Sequence, residues 1–201
     1  HNIENSIDLQ NTYGHRAGAR IDWKINEKTS IFFTPQFNYG WGNFSDSTGY
    51  STRNVLGDTS TDVNRGNSNS SGNNTNKSAN GFILLRRRIG STAGRTISMN
   101  VNYNLSNNDM NGFNGSDTEF FSADGDSIDR VRQKFTQVSN SYRVGGRLSY
   151  TEPFGKNFYG ELTYGYNYQY SNSEKITDDI IAGHYVRNDE YTNSTENHYY
   201  N

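Results

Sequence analysis

Cysteine is absent from this 201-residue chain, which excludes disulfides and thiolate metal sites. Proline is nearly absent, with two residues. No apolar run approaches the roughly 18 residues that a membrane-spanning helix needs. Apolar residues make up only 31% and mean hydropathy is −0.96, too polar for a generous soluble core. Disorder fits no better, because aromatic residues reach 14%. Net charge is −2, which points away from a nucleic-acid partner. No signal peptide opens the chain. Its first residues already read as strand, and Glu190 to Asn201 reads as a strand beginning, so the expectation is a piece of a longer protein.

What is present is a period of two. In the first segment Ile7, Leu9, Tyr13, His15, Ala17, Ala19, Ile21, Trp23 and Ile25 share one face, against Arg16, Gly18, Arg20, Asp22 and Lys24. After a turn at 26–29, Ile31, Phe33, Pro35, Phe37, Tyr39 and Trp41 alternate with Thr34, Gln36, Asn38 and Gly40. A third segment, Ser78 to Ile89, has mixed parity and ends on Arg86-Arg87-Arg88. A bulge or register change is expected there, with one arginine leaning toward the apolar side. The fourth alternates most regularly: Ile97, Met99, Val101, Tyr103 and Leu105 against Thr96, Ser98, Asn100, Asn102 and Asn104. The fifth runs from Val138 to Tyr150 and the sixth from Phe158 to Tyr170, around a turn at 152–157. Polar stretches at about 42–77, 106–126 and 171–189 read as long loops.

The pattern predicts an all-β, antiparallel up-and-down meander of about six long strands. Three hairpins have short turns at one end and long loops at the other. One-sided alternation with that asymmetry belongs to transmembrane β-barrels of the outer membrane, where periplasmic turns are short and extracellular loops long. The whole of residues 1–201 reads as part of one barrel domain. A barrel hides its apolar residues in alternate positions, which accounts for the low bulk hydropathy. Six strands are too few to close a known barrel, so two strand edges should be left unpaired. A weak internal repeat relates 15–23 to 142–150, as hairpin duplication or shared barrel geometry would produce.

Aromatic residues cluster at the ends of the apolar faces. Trp23, Phe33, Tyr150 and Phe158 lie toward the short turns; Tyr39, Trp41, Tyr168 and Tyr170 lie toward the other end. Amphipathic rings favour the lipid headgroup level, so two girdles are expected. At about 3.3 Å per residue and a tilt near 45°, Phe33 to Trp41 rises roughly 19 Å and Phe158 to Tyr170 roughly 28 Å. These bracket an apolar band of about 25 Å. The polar faces carry Arg16, Arg20, Asp22, Arg143, Arg147 and Glu161, the lumen-facing candidates. They fit a ladder of salt bridges between strands, and alternatively an anionic substrate or a plug domain.

Catalytic chemistry leaves no trace. His1, His15, His184 and His198 lack zinc spacing, and no nucleophile elbow or phosphate-cradling loop occurs. Asp124, Asp126 and Asp129 form an acidic cluster whose spacing does not match an EF-hand loop. No catalytic residue, metal or cofactor is expected, and outer-membrane lipid is the expected surrounding.

Three stretches carry a family likeness: residues 94–103 (GRTISMNVNY), 148–157 (LSYTEPFGKN) and 161–168 (ELTYGYNY). With them the chain resembles the large outer-membrane β-barrels of Bacteroidota related to TonB-dependent receptors. The resemblance implies a larger barrel in the outer membrane of a Gram-negative bacterium and TonB-linked uptake of a nutrient. It also implies TonB and a plug or regulatory domain as partners. These motifs are structural, and no binding residue carries over from them. Two other readings stay open: a structural or adhesive barrel without transport, and a soluble secreted β-sandwich that binds glycans.

Overall fold

The computed structural model describes residues 1–122, 125–155 and 157–201. Among them every strand joins one antiparallel sheet. The strands are β1 (Asn2–Gly18), β2 (Ile21–Asn26), β3 (Thr29–Leu56), β4 (Thr59–Arg88), β5 (Thr96–Phe120), β6 (Ser127–Pro153), β7 (Tyr159–Ile181), β8 (His184–Arg187) and β9 (Asn193–Tyr200). The lateral order is β1–β3–β4–β5–β6–β7–β8, with β2 beside β3 and β9 beside β7. Sequential strands are neighbours, as in a meander. The all-β antiparallel meander expected from the sequence is therefore present. The sheet is open, with β1 and β2 along one margin and β8 and β9 along the other.

Three expectations are corrected. First, the long polar stretches are not loops. Only Gly57 and Asp58 separate β3 from β4, and only Ala182 and Gly183 separate β7 from β8. Turns are short at both ends, and positive φ at Gly57, Ala182 and Gly183 supports the tight ones. The strands simply run on past the apolar region. Polar side chains there pair across the ladder: Ser70 donates to Asn114 at 2.8 Å, and Asn107, Asn140 and Asn172 form a hydrogen-bonded row at 3.0 and 3.2 Å. Opposed polar pairs support a sheet without apolar alternation.

Second, the first segment is two strands. Ala19 donates to the Pro35 carbonyl at 3.0 Å, but Pro35 has no N–H to return the bond. The ladder lapses at Ala19 and Arg20, and the strand resumes at Ile21 opposite Phe33. With β8 and β9 added, the strands exceed the six expected.

Third, the mixed-parity segment contains no bulge. Ser78 to Arg87 pairs residue by residue with Asn38 to Thr29, and Ser78 to Arg88 with Ser106 to Thr96. The irregularities fall at Lys24–Asn26 and Thr52–Arg53 instead. Phe82 and Leu84 simply belong to the polar face, where the Phe82 and Phe32 rings meet at 5.4 Å between centroids.

There is almost no interior. Among the described residues Phe135, 6% exposed, and Pro35 are the buried apolar side chains, and Thr177 beside Phe135 is 1% exposed. Phe135 lies in a row with Gly112, Gly72 and Phe44. Added Cβ atoms at these glycines would come within 3.0 Å of the two rings. The rings thus spread over bare backbone, as aromatic side chains beside sheet glycines do.

Candidate functional site: the two faces of the sheet

Register assigns every strand residue to one face or the other. One face is apolar over a continuous belt. Its rows include Trp23–Ile31–Leu85–Met99–Leu148–Tyr164 and Phe33–Ile83–Val101–Gly146–Tyr166. Near the top lies Ala17–Phe37–Ala79–Leu105–Tyr142–Tyr170–His198. Among the described residues nothing packs on this belt: Leu162 is 75% exposed, Tyr164 70% and Trp23 58%. A contiguous apolar surface of this kind marks a place where something other than water belongs.

Seven of the eight candidate interface aromatics stand on this face. Phe158 lies in the turn before β7, with its ring 5.8 Å from that of Phe154. At the upper end the rings form two clusters. Tyr39 and Trp41 meet at 5.4 Å, joined by Tyr13 and His15 across β1. Tyr168 and Tyr170 gather Tyr142, His198 and Tyr200. The flanking strands supply these partners, so the residues of any single segment do not reveal them.

Just above the belt the same face turns polar, through Lys77, Asn107, Asn140 and Asn172. Farther out it is ionic. Arg65 pairs with Glu119 at 2.8 Å, while Asp117 takes Arg132 at 2.7 Å and Arg130 at 3.6 Å. These groups line a shallow groove of about 830 Å³.

The opposite face is hydrophilic over the belt's height apart from one patch of Phe32, Phe82 and Leu84. Arg16, Asp22, Arg143, Arg147 and Glu161 all fall on it by register, and Arg20 joins them by lying over the Phe32 ring at 4.8 Å. The salt-bridge ladder expected among them does not form. Arg16 donates to Asn38 Oδ1 at 2.7 Å, and Asn38 passes a hydrogen bond to Ser78 at 3.0 Å. Arg143 donates to Gln169 at 2.8 Å, and Glu161 accepts from Thr163 at 3.0 Å. The reason is register: the neighbours opposite these arginines are amides and hydroxyls, not carboxylates.

This leaves the face cationic. At belt height it carries Arg16, Arg20, Lys24, Arg86, Arg88, Arg143 and Arg147 against Asp22 and Glu161, although the chain as a whole is at −2. Arg86 and Arg88 extend the cationic face toward the short turns, where with Lys24 and Lys28 they line a recess of about 740 Å³. Arg87 is the arginine of that triplet on the apolar side, in the row of Ile97 and Tyr150. Lys24, Arg86 and Arg88 thus join the six candidates read from the sequence. Their even spacing with Arg20 and Asp22, and with Leu84, is the sequence signal that places them on this face.

The short-turn end is pinned by Arg95, which grips Glu152 through Nη2 at 2.5 Å and Nε at 2.8 Å, while the Tyr150 hydroxyl donates to the same carboxylate. The Arg95 hydrogen bonds, then the Tyr150 one, hold the Glu152 carboxyl below its ordinary pKa. Of the acidic cluster, Asp124 lies outside the described residues. Asp126 is in the turn before β6 and Asp129 sits in β6 opposite Thr118. Among the described residues no group of three His, Cys, Asp or Glu side chains gathers as a metal site. The chain matches no protein-family model and no curated protein.

Proposed function

We propose that this sheet is a sector of a transmembrane β-barrel, with the apolar belt against lipid and the cationic face toward a water-filled lumen. The observation that carries this reading is the pairing of two unlike faces on a single layer. One is apolar, exposed and bounded above by aromatic clusters; the other is hydrophilic over the same height save for the Phe32, Phe82 and Leu84 patch. Along β5 the belt spans Ile97 to Leu105, about 26 Å of strand at 3.3 Å per residue. At a 45° tilt that is roughly 19 Å of hydrocarbon, within reach of a barrel's apolar band. The open margins agree with this. Unpaired backbone groups cannot remain in hydrocarbon, so further strands would complete the ring.

The role that fits is a conduit rather than a catalyst: uptake of a nutrient across the outer membrane of a Gram-negative bacterium, in the manner of TonB-dependent receptors. TonB and a plug or regulatory domain would be the partners in that case. A structural or adhesive barrel is favoured by a different observation, the continuation of β3 to β6 far beyond the belt as a polar and ionic sheet. A β-sandwich would need a second sheet over the tyrosine-rich face, and every described strand belongs to one sheet.

The two tryptophans supply the test, since both stand on the apolar side of the sheet, Trp23 within the belt and Trp41 in the aromatic cluster beyond its upper end. In vesicles of brominated phosphatidylcholine, both Trp23 and Trp41 should be quenched, and W23F and W41F should each retain quenching of the remaining ring. Unquenched fluorescence with full quenching by aqueous iodide would contradict membrane insertion.

A further inference from the structure

Within the cationic face, one group of polar side chains stands apart. Arg147 lies between Asn100 on β5 and Gly165 on β7, and the next row places Gly145 between Asn102 and Asn167. Gly145 is what brings the two amides together: a Cβ there would stand 2.3 Å from Asn167 Oδ1 and 2.8 Å from Asn102 Nδ2. Gly165 leaves the Arg147 guanidinium with no side chain opposite it. The result is a recess of about 240 Å³.

The hydrogen-bonding capacity of this recess is unspent. Elsewhere on the face Arg16 is held by Asn38 and Arg143 by Gln169. Arg147, by contrast, has no hydrogen-bond or ion-pair partner among the described residues, and the buried Asn100 Oδ1 accepts from nothing. Buried polar atoms are normally satisfied, so an orphan acceptor beside a free guanidinium is a pair of complementary demands. A guanidinium offers five donors and asks for an anion; an amide oxygen asks for a donor. The surplus of cations on this face favours the same sign of ligand.

We infer that the Arg147–Asn100 recess binds a small solute carrying both an anionic group and a hydroxyl, of the sugar-acid or hydroxy-acid class. The anion sits on Arg147, a hydroxyl donates to Asn100 Oδ1, and the Asn102 and Asn167 amides close over the remaining hydroxyls. This rests on the reading that the cationic face lines a lumen and gives that lumen a substrate class.

The full chain refolded in detergent micelles, titrated calorimetrically with gluconate, glucose and acetate, tests it. Gluconate should bind at least tenfold more tightly than either of the others. R147Q should lose at least tenfold in gluconate affinity, and N100L should bring gluconate down to the level of acetate. R143Q, whose arginine is already engaged, should change it less than threefold. Glucose binding as tightly as gluconate would overturn the anionic requirement, and acetate binding as tightly would overturn the hydroxyl requirement. An unchanged R147Q with native circular dichroism would overturn the site. Insertion is read separately from tryptophan quenching by brominated lipid. Quenching without gluconate preference sinks the site alone. Absence of quenching sinks the membrane reading, and the recess is then judged on the titration, which needs no bilayer.

Discussion

Single residues in this sheet are constrained mostly by backbone proximity, because there is little interior to fill. Gly112 shows the constraint, as do Gly42 and Gly72: a Cβ at Gly112 would lie 2.3 Å from the Ser71 carbonyl, a backbone atom that cannot swing away. Gly112→Ala should cost about 1–3 kcal/mol, as overpacking does. Gly146, with nothing within 4 Å, should accept alanine within about 0.5 kcal/mol. Urea unfolding of the two variants in micelles makes the comparison. Glu152 makes a small contribution to the acid limb of stability. Its carboxyl is depressed in the folded state, first by Arg95 and then by Tyr150. It therefore stabilises the fold above the ordinary carboxylate pKa, and that contribution disappears as pH falls through the lower, folded value. The pair is partly exposed, so the effect is small. Melting of Glu152→Gln against the parent should differ at pH 7, and the difference should vanish in acid.

Among the elements, the β1–β2 break is the informative one. Pro35 sits in the neighbouring strand and withholds the N–H that Ala19 would need. Pro35→Ala should restore a donor, join β1 to β2 and add roughly 0.5–1.5 kcal/mol, one ordinary hydrogen bond. Hydrogen exchange would show a newly protected amide at position 35. That break is hidden from the sequence because its cause lies one strand away. The belt portions of β3, β5, β6 and β7 are legible, since an apolar residue at every second position fits a strand with one wet face and does not fit a helix. The outer halves of β3 and β4 are not. Residues 42–77 alternate no apolar face, and Asn, Ser and Gly are loop residues by composition. What makes them strands is a register that opposes one polar residue to another. Parity alone places the six lumen candidates on one face, yet their partners depend on that same register, which is why amides replace the expected carboxylates around Arg16 and Arg143.

For the molecule as a whole, we propose that a sheet with almost no core is stabilised by having different surroundings on its two faces. The absence of cysteine allows a clean test, because a single introduced thiol can be labelled without interference. Nitroxides placed one at a time from position 97 to position 105 of β5 cover both faces of the belt. In lipid vesicles, labels at 97, 99, 101, 103 and 105 should collide readily with oxygen and be shielded from a water-soluble nickel chelate. Labels at 98, 100, 102 and 104 should show the reverse. A strict two-residue alternation of that sign is the predicted result; equal access of the chelate to both sets would contradict it.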